Sequence, residues 1–271
     1  MTVLVTGATG RTGRRVAEAA SAAGLDVRAA SRGGAVRFDW YDPGTWDAAL
    51  RGADAAYLVY TPDIGAPSAA ETVGALARRA VGLGVRRLVL LSARGEEQAL
   101  PAERAVRDSG ADWTVVRAAW FHQNFSEGPL VDGVRGGEFV FPAAEVQEPF
   151  VDVRDIADVV LTALTDGSYA GRTLEVTGPR LLSFREALGE ISAAVGREIR
   201  YVPVSVKEFG VMLAESGMPA EETAFLEDVF ETLLDGRNAH VCDGVSDVLG
   251  RPPRDFADFV REQATGTAWT V

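Results

Sequence analysis

Cysteine occurs once in this chain of 271 residues, histidine twice and lysine once, and each scarcity removes a class of chemistry. Cys242 alone cannot close an internal disulfide. With His122 and His240 it is too little for a His/Cys metal site, so no metal is expected. No run of about 18 apolar residues occurs, so no membrane span is expected. Gly7, Thr9, Gly10 and Arg11 interrupt the start before a signal-like apolar stretch can form, which points to the cytoplasm. Positive charge is also short: 27 Lys plus Arg stand against 39 Asp plus Glu, a net charge of −12. A surface this acidic repels a phosphate backbone, so nucleic acid is excluded as a partner. Any anionic ligand must be held by a local site. Lys207 is the only lysine, and every other basic residue is arginine.

What is present is an ordinary globular composition, 47% hydrophobic and 24% charged. The first half alternates short β-rich runs (2–6, 26–31, 36–39, 55–61, 88–92, 113–117) with alanine-rich helical stretches ending before Gly24, Gly52, Gly84 and Gly110. A glycine just past a helix supplies its left-handed cap. Several runs are apolar throughout, as strands of a parallel sheet covered on both faces are. The expected fold class is therefore α/β, a Rossmann-type doubly wound parallel sheet with a small, mostly helical C-terminal lobe. We place the nucleotide-type domain at 1–178, with an excursion over 120–150, and the substrate lobe at 179–271. In that lobe, Ser183 with Glu186 and Ser205 with Glu208 read as capping boxes opening helices.

The most specific motif is Gly7-Ala8-Thr9-Gly10-Arg11-Thr12-Gly13, between the apolar run 2–6 and the helix expected from Arg14. In a strand–turn–helix context this spacing lets backbone approach a pyrophosphate while the helix N-terminus offers unpaired N–H groups. The second strand ends in Ser31-Arg32 with no carboxylate, which suits the 2′-phosphate of NADP(H) rather than the free ribose of NAD. The alternative leaves Arg32 as a solvated turn residue. Asp39 and Trp40 are placed to flank an adenine edge, unless Trp40 packs on Trp46. Tyr60 and Thr61, after the fourth strand, and Ser92, after the fifth, fall at the carboxyl ends where such sheets bind ligands. Pro62, Trp120, Phe121, Phe125 and Phe150 complete the expected substrate wall; otherwise Trp120 and Phe125 form core. His122 is the candidate proton donor, with a purely structural histidine as the alternative.

The glycine loop, together with Asp112–Arg117 (DWTVVR) and Phe150–Ala157 (FVDVRDIA), resembles the NmrA-like branch of the atypical short-chain dehydrogenases over essentially the whole chain. The resemblance implies a Rossmann domain, NADP(H) and a small substrate lobe. Trp120–Glu127 (WFHQNFSE) is similar to the corresponding segment of the ergot-alkaloid-type reductases, the festuclavine and agroclavine dehydrogenases, which reduce an iminium carbon. The quinone oxidoreductase type 2 enzymes are a further resembling group. Two departures stand out. Ala118-Ala119 follows Arg117 where the family commonly has proline, and Ala99 stands where a family lysine often precedes the helix glutamate, here Glu103.

Typical short-chain dehydrogenases use a Tyr-x-x-x-Lys pair to pass a proton to the substrate oxygen. Here the residues four after Tyr41, Tyr57, Tyr60, Tyr169 and Tyr201 are Thr45, Thr61, Ile64, Thr173 and Ser205, and arginine stays protonated. The expected reaction is hydride transfer to an acceptor already activated, an imine or iminium, or a quinone or conjugated carbonyl. Two competing readings are a non-catalytic NAD(P)-binding redox sensor and an enzyme that retains NADP for non-redox chemistry. A small-molecule substrate and a monomer or homodimer complete the expectations.

Overall fold

A computed structural model describes residues 1–128 and 130–270. It divides into two compact units. The first comprises Met1–Ala118, Val153–Val176 and Asp243–Arg251, and the second Ala119–Asp152, Thr177–Cys242 and Pro252–Val271.

The first unit runs β1 (Thr2–Val5), α1 (Arg11–Ala22), β2 (Asp26–Ser31), β3 (Val36–Arg37), α2 (Trp46–Leu50), β4 (Ala55–Leu58), α3 (Ala69–Gly82), β5 (Arg87–Ala93), α4 (Leu100–Arg107) and β6 (Asp112–Ala118). It is completed by α6 (Val153–Thr165), β9 (Arg172–Val176) and α10 (Gly244–Leu249). The seven strands form one sheet in the order β3-β2-β1-β4-β5-β6-β9, every neighbouring pair parallel. This is the doubly wound Rossmann arrangement, whose order reverses beside β1. The strand pleat explains the apolar runs. Leu4, Ala56, Leu58, Leu88, Leu90 and Val115 join one buried cluster with Trp46, Leu76 and Val106 of α2, α3 and α4. Val3, Val5, Tyr57 and Val89, alternating with them, are buried on the opposite face. Burying a side chain such as Leu76 contributes about 2 kcal/mol.

The second unit contains α5 (Val131–Gly136), β7 (Glu138–Phe141), β8 (Gln147–Glu148), β10 (Leu182–Ser183), α7 (Phe184–Val195), β11 (Arg200–Pro203), α8 (Val206–Glu215), α9 (Ala220–Leu233) and α11 (Phe256–Ala264). Two small sheets, β8 with β10 and β7 with β11, accompany the helices. Both capping boxes are formed, Ser183 with Glu186 and Ser205 with Glu208. The core is aromatic: Phe125, Phe139, Phe141, Phe150, Phe184, Phe256 and Phe259 are all enclosed.

The division differs in two respects from one cut near residue 178. Residues 119–152 belong to the second unit because Phe125, Phe139 and Phe141 pack into its core. Asp243–Arg251 returns to the first, where Arg251 Nη2 reaches Asp155 at 2.8 Å and Asp158 at 2.6 Å on α6. Among the described residues no helix is long and apolar enough to cross a membrane.

Candidate functional site

The glycine loop is built by close backbone packing. Gly7 has φ +59°, a left-handed conformation, and a Cβ there would meet Val59 Cγ1 at 2.7 Å. The turn closes with Gly10 N–H donating to Gly7 C=O at 2.8 Å, and Ala8 N–H ties it to Ala30 C=O on β2 at 3.1 Å. Gly10 is the extended N-cap of α1, so Arg11, Thr12 and Gly13 form the first helical turn rather than loop. Gly13 permits this, because a Cβ would lie 2.7 Å from Gly7 C and 2.9 Å from Thr6 O. The helix start carries neither a side-chain cap nor an acidic residue. The dipole of this helix end therefore favours an anion. Thr9 and Gly10 are exposed and Arg11 is half-buried. Thr12 faces inward, where Tyr57 Oη donates to its Oγ1 at 3.0 Å. This bond links the loop to β4, and burial pushes the Tyr57 phenol above its usual range.

At the end of β2, Ser31 is half-buried and Arg32 exposed. The Arg32 guanidinium makes no hydrogen bond or ion pair with any described residue. Asp39 accepts from Tyr41 N–H through its carboxylate at 3.0 Å and from Trp46 Nε1 through its carbonyl at 2.8 Å. Trp40 corrects the adenine expectation. Its Nε1 donates to Val59 C=O at 2.9 Å, and its ring meets Phe38 and Tyr60 edge-on, both at 5.1 Å, so the indole is spent on core.

Beyond β4, Tyr60 is buried with its hydroxyl 3.1 Å from Ser68 Oγ, whereas Thr61 and Pro62 are exposed. Ser92 also corrects its assignment. It is buried, and its hydroxyl donates to Glu103 Oε1 at 2.7 Å. Glu103 is fully buried and accepts as well from Arg117 Nε at 2.8 Å, Arg117 Nη2 at 2.7 Å and Arg107 Nη2 at 2.9 Å. Bonding to Glu103 holds the Arg117 guanidinium above its ordinary range. Ser92 therefore belongs to a network that fixes the ends of β5 and β6.

In the second unit, Phe125 and Phe150 are core rather than pocket wall. Phe125 lies 5.5 Å from both Phe150 and Phe256, and Trp269 Nε1 donates to its carbonyl at 2.8 Å. His122 is fully buried, its Nε2 2.8 Å from Phe150 O and its ring against Phe256 and Phe259 at 5.1 and 5.4 Å. Its Nδ1 lies 3.7 Å from Asp152 Oδ2. A proton donor must present a ring nitrogen to its acceptor. Both nitrogens here face protein, so the structural role displaces the donor role. Trp120 and Phe121 are only half-buried. Trp120 meets Phe141 and Phe184 edge-on and lies at 6.3 Å over Phe230, while its Nε1 has no hydrogen-bond partner among the described residues.

One group escaped the reading of the sequence. Glu96, after β5, is a buried carboxyl beside Asp63, and no motif or spacing marks it.

Known proteins share this architecture. The chain is similar to (4-alkanoyl-5-oxo-2,5-dihydrofuran-3-yl)methyl phosphate reductase of Streptomyces griseus, at 35% identity over 98% of this chain and 99% of that protein. It is 32% identical to agroclavine dehydrogenase of Claviceps fusiformis, over 97% of each. Its fold matches that of an NADPH-dependent quinone oxidoreductase of Escherichia coli complexed with NADPH, with a TM-score of 0.76 and 20% identity over 97% of this chain and 99% of that one. The NmrA-like family itself matches residues 1–241, so this protein belongs to the NmrA-like family.

Proposed function

We propose that the protein is an NADPH-dependent reductase that transfers hydride to an activated, planar small molecule, an imine or iminium carbon first and a quinone or conjugated carbonyl second. The observation that carries the cofactor half is the pairing of a backbone cradle with a free arginine. Gly7, Gly10 and Gly13 leave the N-terminus of α1 open to a pyrophosphate, and exposed Arg32 ends the adjacent strand. A Cβ at Gly13 would close the cradle. Bound NADPH would supply the hydride. The protein's own task is then to bind, to orient and to exclude water.

The acceptor half rests on the absence of the Tyr-x-x-x-Lys pair and on the burial of His122. Hydride addition to an iminium yields a neutral amine without a proton in that step. Trp120, whose half-buried ring is set among Phe141, Phe184 and Phe230, is suited to stack a flat or cationic acceptor. The relative named as a reductase of a (4-alkanoyl-5-oxo-2,5-dihydrofuran-3-yl)methyl phosphate, a conjugated carbonyl compound, supports the second of these acceptor classes.

NADPH consumption measured across cyclic iminium salts, imines and quinones tests this reading. Turnover on a cationic C=N is expected. Tight NADPH binding with no turnover on any acceptor would favour the redox sensor. The cofactor preference has its own test. Arg32→Ala is expected to weaken NADPH roughly tenfold, the worth of about one charge-assisted bond, and to leave NADH little changed in a fluorescence titration. Equal losses for both nucleotides would count against the 2′-phosphate role.

A further inference from the structure

We propose that Glu227, together with the rings of Trp120, Phe209 and Phe230, forms a receptor for a flat organic cation and so selects the charge of the acceptor. The proposal rests on the reductase reading for what becomes of the bound cation. Three segments of the second unit build the receptor. Trp120 follows β6, Phe209 and Gly210 lie on α8, and Thr223, Glu227 and Phe230 lie on α9. Phe230 is the hub. Its ring stacks 6.3 Å from Trp120 and lies 5.9 Å from Phe209. All three rings are half-buried, so part of each remains accessible to a ligand.

Thr223, Glu227 and Phe230 stand at i, i+4 and i+7 and therefore share one face of α9. That face is turned to α8. A Cβ on Gly210 would come within 2.6 Å of Glu227 Cδ and 2.9 Å of its Cγ, so the carboxylate lies against bare α8 backbone next to Phe209. Glu227 is half-buried, and it makes no hydrogen bond or ion pair with any described residue. Lys207, three residues before Gly210, is exposed and does not pair with it. Drawing a carboxylate partly out of water costs free energy unless a cation compensates. Thr223, one turn earlier on the same face, is only 8% exposed, and its Oγ1 is buried with no hydrogen-bond partner among the described residues. Buried hydroxyls are nearly always paired, so a second polar group beside Glu227 awaits a partner. The local field has the same sign, since α9 holds five acidic residues and no basic one.

An unpaired carboxylate beside accessible aromatic rings matches one ligand chemistry. A delocalised organic cation is attracted by the ring faces and supplies the missing countercharge. A neutral quinone in the same place would leave Glu227 desolvated and unpaired, and an anion would be repelled. The receptor therefore ranks the acceptors, a cyclic iminium above a quinone. Glu227 acts on binding rather than on the barrier, because it attracts a charge that the substrate already carries before hydride arrives.

Glu227→Gln keeps the size of the side chain and removes its charge. Calorimetric titration of the full chain with 2-methylisoquinolinium, and with the uncharged 2-methylisoquinolin-1-one of the same skeleton, reads the receptor without turnover. The wild type is expected to bind the cation more tightly. In Glu227→Gln that affinity falls roughly tenfold while binding of the neutral compound is unchanged. Glu222→Gln removes the same charge from an exposed position of α9 and is expected to alter neither. Equal losses in the two variants would assign the effect to the net charge of the protein, and no loss in Glu227→Gln would remove its role; either result overturns the proposal. With NADPH and 2-methyl-3,4-dihydroisoquinolinium, a cyclic iminium, Glu227→Gln is expected to raise KM by roughly tenfold and to leave kcat within about twofold. A fall in kcat with KM unchanged also overturns it. The two readings fail separately. Glu227-dependent binding of the cation by a protein that reduces no iminium overturns the reductase reading and leaves the receptor standing. Turnover of the iminium with binding and KM untouched in Glu227→Gln overturns the receptor and leaves the reductase.

Discussion

Gly13→Ala is expected to abolish NADPH binding and to lower stability by about 3 kcal/mol, the upper part of the range for overpacking a closed site. The clash is with backbone alone: Gly7 C at 2.7 Å, Thr6 O at 2.9 Å and Gly7 O closer still. No rotamer relieves it. The first turn of α1 must move away from β1, and the N–H groups that would meet the pyrophosphate move with it. The same substitution in a different setting has the opposite sign. Gly189 is an exposed position inside α7 with nothing near its would-be Cβ, so Gly189→Ala is expected to stabilise by about 1 kcal/mol. Chemical denaturation of both variants, with a nucleotide titration of Gly13→Ala, checks the pair. Wild-type NADPH affinity in Gly13→Ala would show that the loop does not cradle the cofactor.

Removing Glu103 carries the second large effect. Its carboxylate accepts four hydrogen bonds from Ser92, Arg107 and Arg117. Arg107 Nη2 also reaches Thr173 Oγ1 on β9 at 3.1 Å, so the network spans β5, β6, β9 and α4. Glu103→Ala leaves two guanidinium groups facing an empty, buried site. The expected loss is about 3 kcal/mol, at the low end for breaking a buried ion pair because both arginines keep some contact with water. The ends of β5 and β6 carry the loops at the candidate site, so activity is expected to fall with stability. A melting temperature within a degree of wild type would contradict this account of the network.

Much of the first unit was legible because parallel strands and their helices leave local marks. The apolar runs at β4 and β5, the glycines after helices and the phosphate loop all follow from chemistry within a few residues. The capping boxes at Ser183 and Ser205 are equally local. What escaped depends on contacts between distant segments. Nothing in the sequence around Phe125 and Phe150 distinguishes a pocket wall from a core, and the packing of Phe139, Phe184 and Phe256 around them decides it. Ser92 stands where a ligand-binding residue would, yet Glu103, eleven positions later, captures its hydroxyl. His122 has a suitable intrinsic pKa but is closed in by Phe150 O and two rings. Glu96 is one acidic residue among 39 Asp and Glu, and only burial beside Asp63 sets it apart. The return of Asp243–Arg251 to the first unit likewise depends on the ion pairs of Arg251 with α6.

A chain without the tyrosine–lysine acid is expected still to move hydride from NADPH. NADPH carrying deuterium at the reactive C4 position, mixed with a cyclic iminium salt and the protein, tests it directly by mass spectrometry of the product. One deuterium on the former iminium carbon and one equivalent of NADP⁺ per amine formed are expected. Tight NADPH binding with no deuterated product from iminium or quinone acceptors would contradict it.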